Sequence, residues 1–459
     1  MEGSSSVTFI DKWNQIVAAV LAGDQPLITA ATMLWFLISH GGWIIIAYVA
    51  WKGFEYWWLL RIQTDYANKR QWIMLAIDVP RDNIQSPKAV ENIFAHLAGA
   101  HSEMDYIDYW WTGVTQDYFS LEIVGIEGYV QFIIRTPSRY RDLVEAAIYA
   151  QYPEAQISEI EDYTIGYPNK FPNEKYDLYG TEFIPVQNQL YSIRTYIEFE
   201  HIMTKELKDP MTTLLETLNK LGAGEQVWLQ LIIVPTNEKW KIPASSMIKK
   251  IMKADTARKA GIISQMVGEI SGFGTEAQRQ ILGGEPGATK PERSQFSLSL
   301  LAPDDQARAD GIARKIKKIG YFVKYRLIYI ASKEKFIAAH GREAVIGAIK
   351  QFNTGDLNAL KPDTKITGVH AHYFFVNFRK NIKKTKLINR YKDRSHYKGR
   401  ETYILNTEEL ATLWHFPTKT ETMPMRHMVQ RTEFKHTPPP ATLPTSPNLI
   451  RPGQHPVNR

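Results

Sequence analysis

Between Gln25 and Trp51 the chain carries no formally charged side chain, and this stretch most narrows what the sequence can become. Its apolar part, ITAATMLWFLISHGGWIIIAYVAW from Ile28 to Trp51, is 24 residues long. That is enough for a tilted helix across a hydrocarbon layer of roughly 30 Å. His40 and Gly41-Gly42 interrupt the run but are tolerated in such helices. Trp51, Tyr56, Trp57 and Trp58 follow it like an interfacial aromatic belt, and seven of the twelve tryptophans fall between Trp13 and Trp72. The expectation is therefore a transmembrane helix at 28–51, an extracytoplasmic segment at 1–27 and an aromatic, basic juxtamembrane segment at 52–71. Lys52, Arg61, Lys69 and Arg70 against Lys12 upstream place the rest of the chain in the cytoplasm. This describes a single-pass protein of the cell membrane. A cleaved signal peptide does not fit, because no basic n-region precedes the run and no small-residue cleavage site follows. Val7–Ala22 has an amphipathic spacing suited to a short surface helix.

Behind this anchor the pattern changes to α+β. Trp72–Asp78 reads as a strand. Ser86-Pro87 opens a helix carrying Val90, Ile93, Phe94, Leu97 and Ala98 on one face. Phe119, Leu121 and Ile123 alternate with Ser120 and Glu122, Gly125–Gly128 turns the chain, and Val130, Phe132 and Ile134 alternate again. A second helix holds Leu143, Val144, Ala147 and Ile148, and Ile157 and Ile160 mark a last strand. The order β-α-β-β-α-β predicts a ferredoxin-like split βαβ domain over 72–165. A second α+β domain of similar plan is expected over 190–378. Its elements are a strand at Ile193–Phe199, a helix with Leu214, Leu215, Leu218 and Leu221, and a strand at Val227–Val234. A helix from Asp304-Asp305 to Ile319, a strand at Tyr321–Ile330, a helix around Ile346 and Ile349 and a closing strand at His370–Phe378 complete it. An insertion at 237–292 carries a basic helical stretch (Lys249, Lys250, Lys253, Arg258, Lys259). The fold class expected is thus one N-terminal transmembrane helix, two ferredoxin-like domains and a disordered Pro-rich tail at 418–459.

The absence of cysteine excludes disulfides, thiolate zinc sites, iron–sulfur clusters and a cysteine nucleophile. Gly283–Lys290 does not fit a phosphate loop, since Pro291 stands where the hydroxyl is needed. Gly272-Phe-Gly274 reads as a helix-ending turn. His370 and His372 have a metal-ligand spacing, but on a strand they would share a face with Phe374, Val376 and Phe378. His96 and His101 with Glu103 and Asp105 lack a metal motif, and no GxSxG nucleophile occurs. No catalytic, cofactor or metal site is expected, and the chain reads as a non-enzyme.

The formal charge of +7 is concentrated in one place. Residues 379–400 hold ten cations against one acid, Asp393: Arg379, Lys380, Lys383, Lys384, Lys386, Arg390, Lys392, Arg394, Lys398 and Arg400. Such a run meets nucleic-acid phosphates or anionic lipid heads, or is a solvated connector. After it, Thr402–Pro417 reads as a strand and a short helix begun by an Asn406 cap, with Leu410, Leu413 and Trp414 on one face.

Residues 74–102 (MLAIDVPRDNIQSPKAVENIFAHLAGAHS) and 122–164 resemble a family of membrane-anchored bacterial proteins sharing a domain without assigned function. TYILNTEELATLWHFP at 402–417 and QRTEFKHTPPPATLP at 430–444 resemble the segment just before the P-loop domain of TraG-like or HerA-like type IV secretion coupling ATPases. The resemblance implies a membrane-anchored component of a type IV secretion or conjugation-like system that docks a separate P-loop ATPase, with Leu410, Leu413 and Trp414 as docking residues. The alternative is a membrane-tethered nucleic-acid-binding protein acting through 379–400. Further partners considered are DNA, anionic lipid and a second copy of the chain.

Overall fold

The computed structural model describes residues 43–80, 83–199, 209–252, 303–355 and 357–418, with Asp11, Asn14, Ala18 and Trp35. It divides into two compact units. One comprises the described residues up to Arg70 together with Glu103–Thr115; the other comprises Gln71–Ser102 and the described residues from Gln116 onward.

In the first unit, helix α1 (Trp43–Lys69) runs without a break through Lys52, Glu55, Arg61 and Asp65. Lys52 and Glu55 pair at 2.7 Å. The segment 103–115 lies on α1. Trp58 Nε1 donates to the Trp110 carbonyl at 2.8 Å, and Trp58 meets Trp111 edge-on. Gly113 sits at φ +71 with the α1 backbone at Ile62 only 2.5 Å from where a Cβ would lie, so a side chain there has no room. The expected transmembrane helix is corrected here. Among the described residues no helix is long and apolar enough to cross a membrane. The helix continues past Trp51 into charged sequence. Residues 28–42, Trp35 excepted, lie outside the described residues, as does most of the amphipathic segment 7–22.

In the second unit the architecture follows from strand β2 (Phe119–Ile126). It pairs antiparallel with β3 (Tyr129–Pro137) on one edge and with β6 (Glu225–Pro235) on the other, over eight residue pairs. A strand with a free edge leaves a row of unpaired N–H and C=O groups; β6 removes that edge. The two ferredoxin-like domains expected over 72–165 and 190–378 are therefore corrected to one continuous sheet of nine strands, in the order β4-β1-β3-β2-β6-β7-β5-β8. Its other strands are β1 (Trp72–Asp78), β4 (Gln156–Glu159), β5 (Tyr176–Pro185), β7 (Gly320–Ser332) and β8 (Leu360–Pro362). Strand β9 (Tyr403–Asn406) adds to β7 beside the start of that strand. The order reads alike from both ends, with β2 and β6 meeting at the middle. Two expected strands are absent. Ile193–Phe199 contains a 3₁₀ turn at Tyr196–Phe199, and His370–Phe378 is a loop leading into a helix. Of the insertion at 237–292, only residues up to 252 are described.

The two faces of the sheet are covered differently. One face is apolar and carries helices α2 (Pro87–Leu97), α3 (Arg141–Gln151), α4 (Met211–Asn219), α6 (Ala338–Lys350) and α8 (Thr407–Leu413). Phe94 of α2 and Phe132 of β3 both pack on Trp414, and Leu218 of α4 meets Gly125. Helix α5 (Pro303–Ile316) contributes Ile312 to a smaller cluster with Trp240 and Ile404. The opposite face carries helix α7 (Val376–Lys392), where Leu387 packs against Gly180 and Tyr391 against Trp228.

Candidate phosphate-binding groove

Strand pairing aligns Glu122 with Gln230, Gln230 with Arg326 and Arg326 with Glu182. This polar row crosses the face under α7 and is buried. Buried charge is costly unless paired and hydrogen-bonded, and the chain after α7 supplies the partners. Arg394, 1% exposed, donates from Nε to Glu122 at 2.9 Å and from Nη1 to Asp162 at 2.6 Å. Arg326 Nε donates to Glu182 at 2.9 Å, while its Nη2 reaches the carbonyls of Ser395 and Lys398. Gly399, at φ +107, lets the backbone come so near Glu182 that a Cβ would lie 2.3 Å from the carboxylate. Burial lowers the Lys324 ammonium to about 8, with Arg326 pushing the same way. Burial alone would raise the Asp162 carboxyl; Arg394 and the Thr164 donors outweigh it and hold it below its ordinary value.

The ten cations of 379–400 therefore divide into two sets. Four are paired with carboxylates, and a fifth, Lys392, is held by a carbonyl and an amide oxygen. Lys384 pairs with Asp177, Arg394 with Glu122 and Asp162, Lys398 with Asp393, and Arg400 with Asp363. Lys392 donates to the Tyr167 carbonyl and Asn169 Oδ1, both at 2.6 Å. For the other five, Arg379, Lys380, Lys383, Lys386 and Arg390, no described carboxylate lies within ion-pair distance. Four of them, Arg379, Lys383, Lys386 and Arg390, recur at helical spacing on one side of α7. They line a groove of about 290 Å³ with Thr367 and the apolar Ile366 and Ile382.

The field in this region is positive. Burial lowers Lys383 first, and Arg379 adds to the effect, with only Asp363 opposing. Burial likewise lowers His370, and His372, Arg342, Lys380 and Lys383 act in the same direction. His370 and His372 stack at 5.8 Å in the loop before α7. No cluster of three or more metal-ligating residues occurs among the described residues.

Leu410, Leu413 and Trp414 are all buried. The apolar stripe expected on α8 forms, with Asn406 and Glu409 making a reciprocal capping box, but it faces the core. In this structure these side chains hold α8 on the sheet. Lys315, fully buried, donates to the Ile404 carbonyl at 2.9 Å and pairs with Glu409 at 3.0 Å, tying α5 to the same element. Residues 430–444, the second block of the resemblance, lie outside the described residues.

The first unit presents a separate aromatic surface. A cleft of about 440 Å³ is bounded by Trp51, Phe54, Trp58, Tyr106, Trp110 and Trp111, with Glu55 as its charged group. Trp43, Tyr48, Tyr56 and Trp57 are exposed on the same helix. No family model matches the chain, and no curated protein matches it.

Proposed function

We propose that the chain is a non-enzymatic, membrane-associated platform of a type IV secretion or conjugation-like translocation system, on the cytoplasmic side of the cell membrane, that docks a separate P-loop ATPase. The observation that carries this reading is the position of Thr402–Pro417. This block resembles the segment just ahead of the motor domain in coupling ATPases, and here it contributes β9 and α8 to the fold. Asn83 Nδ2 donates to the Pro417 carbonyl at 3.0 Å, and the Thr418 N–H donates to Asp209 at 2.9 Å. Sequence beyond Thr418 therefore starts from a fixed point on a rigid body, as transmission of a motor's position requires. Leu410, Leu413 and Trp414 set that point from inside. Association with the membrane is supported by the Trp- and Tyr-rich surface of α1 and 103–115, because rings with an apolar body and a polar tip suit headgroup depth. The test mixes the full-length chain with a coupling-type P-loop ATPase from the same genome and follows co-elution. Co-elution should survive Trp414→Phe and be lost from a chain stopped after Thr418. Undiminished co-elution of the shortened chain, or none with the full one, would refute the docking reading.

A second reading, nucleic-acid binding through 379–400, is favoured by the five cations without carboxylate partners. It requires that affinity for DNA fall steeply with salt, since each neutralised phosphate releases counterions.

A further inference from the structure

Just before α7 the chain forms an aromatic tip. Tyr373, Phe374 and Phe375 are 86%, 83% and 81% exposed, and Phe378 is 67% exposed. Single exposed apolar residues need no explanation, but four within six positions form a patch. Tyr373 and Phe375 also adopt φ of +68 and +53, a region that large side chains rarely occupy. Groove cations brace this turn: Arg379 Nη1 donates to the His372 carbonyl at 2.9 Å, and Lys383 Nζ donates to that of His370 at 2.7 Å. The tip and the groove are thus mechanically one feature, apolar at its end and cationic behind.

We propose that this feature docks on an anionic lipid bilayer, with the aromatic tip entering the interface and the groove of Arg379, Lys383, Lys386 and Arg390 receiving a phosphate-bearing headgroup. The proposal rests on the membrane-associated reading above and names a site and a lipid class for it. Charge complementarity supports it, since juxtamembrane cations are drawn to anionic leaflets at short range. The arrangement also favours lipid over a nucleic-acid strand. Single strands are held along a basic track with rings spaced for successive bases. Here the rings cluster ahead of the cations, three of the four are phenylalanine, and the groove holds one headgroup rather than a run of nucleotides. Ile366 and Ile382 on its rim are exposed and add apolar contact.

The experiment sediments the full-length chain with vesicles of phosphatidylcholine alone and of phosphatidylcholine mixed with phosphatidylglycerol. The mixed vesicles should bind more tightly. Replacing Lys383, Lys386 and Arg390 together by Ser should weaken binding to the mixed vesicles by roughly fivefold for each cation removed, leaving phosphatidylcholine binding unchanged. Phe374→Ser with Phe375→Ser should weaken binding to both by roughly tenfold or more. All these side chains except those of Lys383 and Arg390 are exposed, so Lys386→Ser and the Phe pair, checked by near-UV circular dichroism, keep the test independent of folding. Equal binding of parent and charge variants to the mixed vesicles overturns the proposal. So does binding of a single-stranded oligonucleotide with no preference for anionic vesicles. If phosphatidylcholine binding persists in either case, the membrane-associated reading stands without this site; binding to neither vesicle removes both.

Discussion

Arg390, in the last turn of α7, and Arg394, just past its end, belong to the same basic run, yet their surroundings are opposite. Arg394 is sealed against the sheet between Glu122 and Asp162, and Glu122 lies 272 residues earlier in the chain. Arg390 lines an open groove with no described carboxylate beside it. The difference lies in which side of the segment meets the polar row of β2, β6, β7 and β5. A charge run thus reports how many cations are present, while the fold decides which are neutralised by a carboxylate.

The largest effect is expected of Arg394→Ala. Removing one member of a buried, hydrogen-bonded ion pair leaves the other uncompensated, so denaturant unfolding should show a loss of about 3–5 kcal/mol. Glu122→Gln in the same chain should recover part of it. A loss below about 1 kcal/mol would show that Arg394 is as dispensable as a surface cation. Acid should act next, through Asp363. Burial alone would raise its carboxyl, but Arg400 and the Thr367 and Ile366 donors bring it down to about 2. Because the folded value lies below the unfolded value of about 3.9, its contribution is complete above that value and is lost as pH falls towards about 2. The melting temperature should therefore hold steady down to about pH 5 and decline below about pH 4, less steeply in Arg400→Leu. The smallest effect belongs to the groove. Lys386→Ser should change stability by no more than about 0.5 kcal/mol, tipped towards gain by relief of like-charge repulsion. A larger loss would make that cation structural.

Much of the sheet was legible because alternation and turn chemistry are local. β1, β2, β3, β6 and β7 fall where the pattern puts them, and Glu127 and Gly128 at positive φ supply the β2–β3 turn. What was not legible depends on distant partners. Ser120 and Glu122 alternate like a solvent-facing row, but α7 and the loop after it cover them. β5, with Asp177, Gly180 and Glu182 in its sequence, gives no strand signal until Arg326 is placed beside it, 144 residues away. Ile193–Phe199 looks like a strand but is held as a turn by α8: Glu409 accepts from the Ile193 N–H and Thr412 Oγ1 from the Tyr196 N–H. His370–Phe378 has strand-like alternation, yet Phe374 and Phe378 face outward. The sequence shows the ten cations only as a group; which of them meet a carboxylate depends on counter-charges from β2, β5 and the Asp162 and Asp363 loops.

The placement of Trp414 and Phe416 against Phe94, Phe132 and Tyr152 has a consequence for synthesis. Asn83 waits for a backbone partner 334 residues later. At about 5–20 residues per second, the first half of the sheet emerges on the order of tens of seconds before the residues that close its apolar face. During that interval Phe94 and Phe132 lack Trp414 and Phe416, and the outer edge of β2 is unpaired until β6 arrives. The nascent chain is thus open to mispairing at that edge until β6 has been made, and its apolar face stays incomplete until Trp414 and Phe416 emerge.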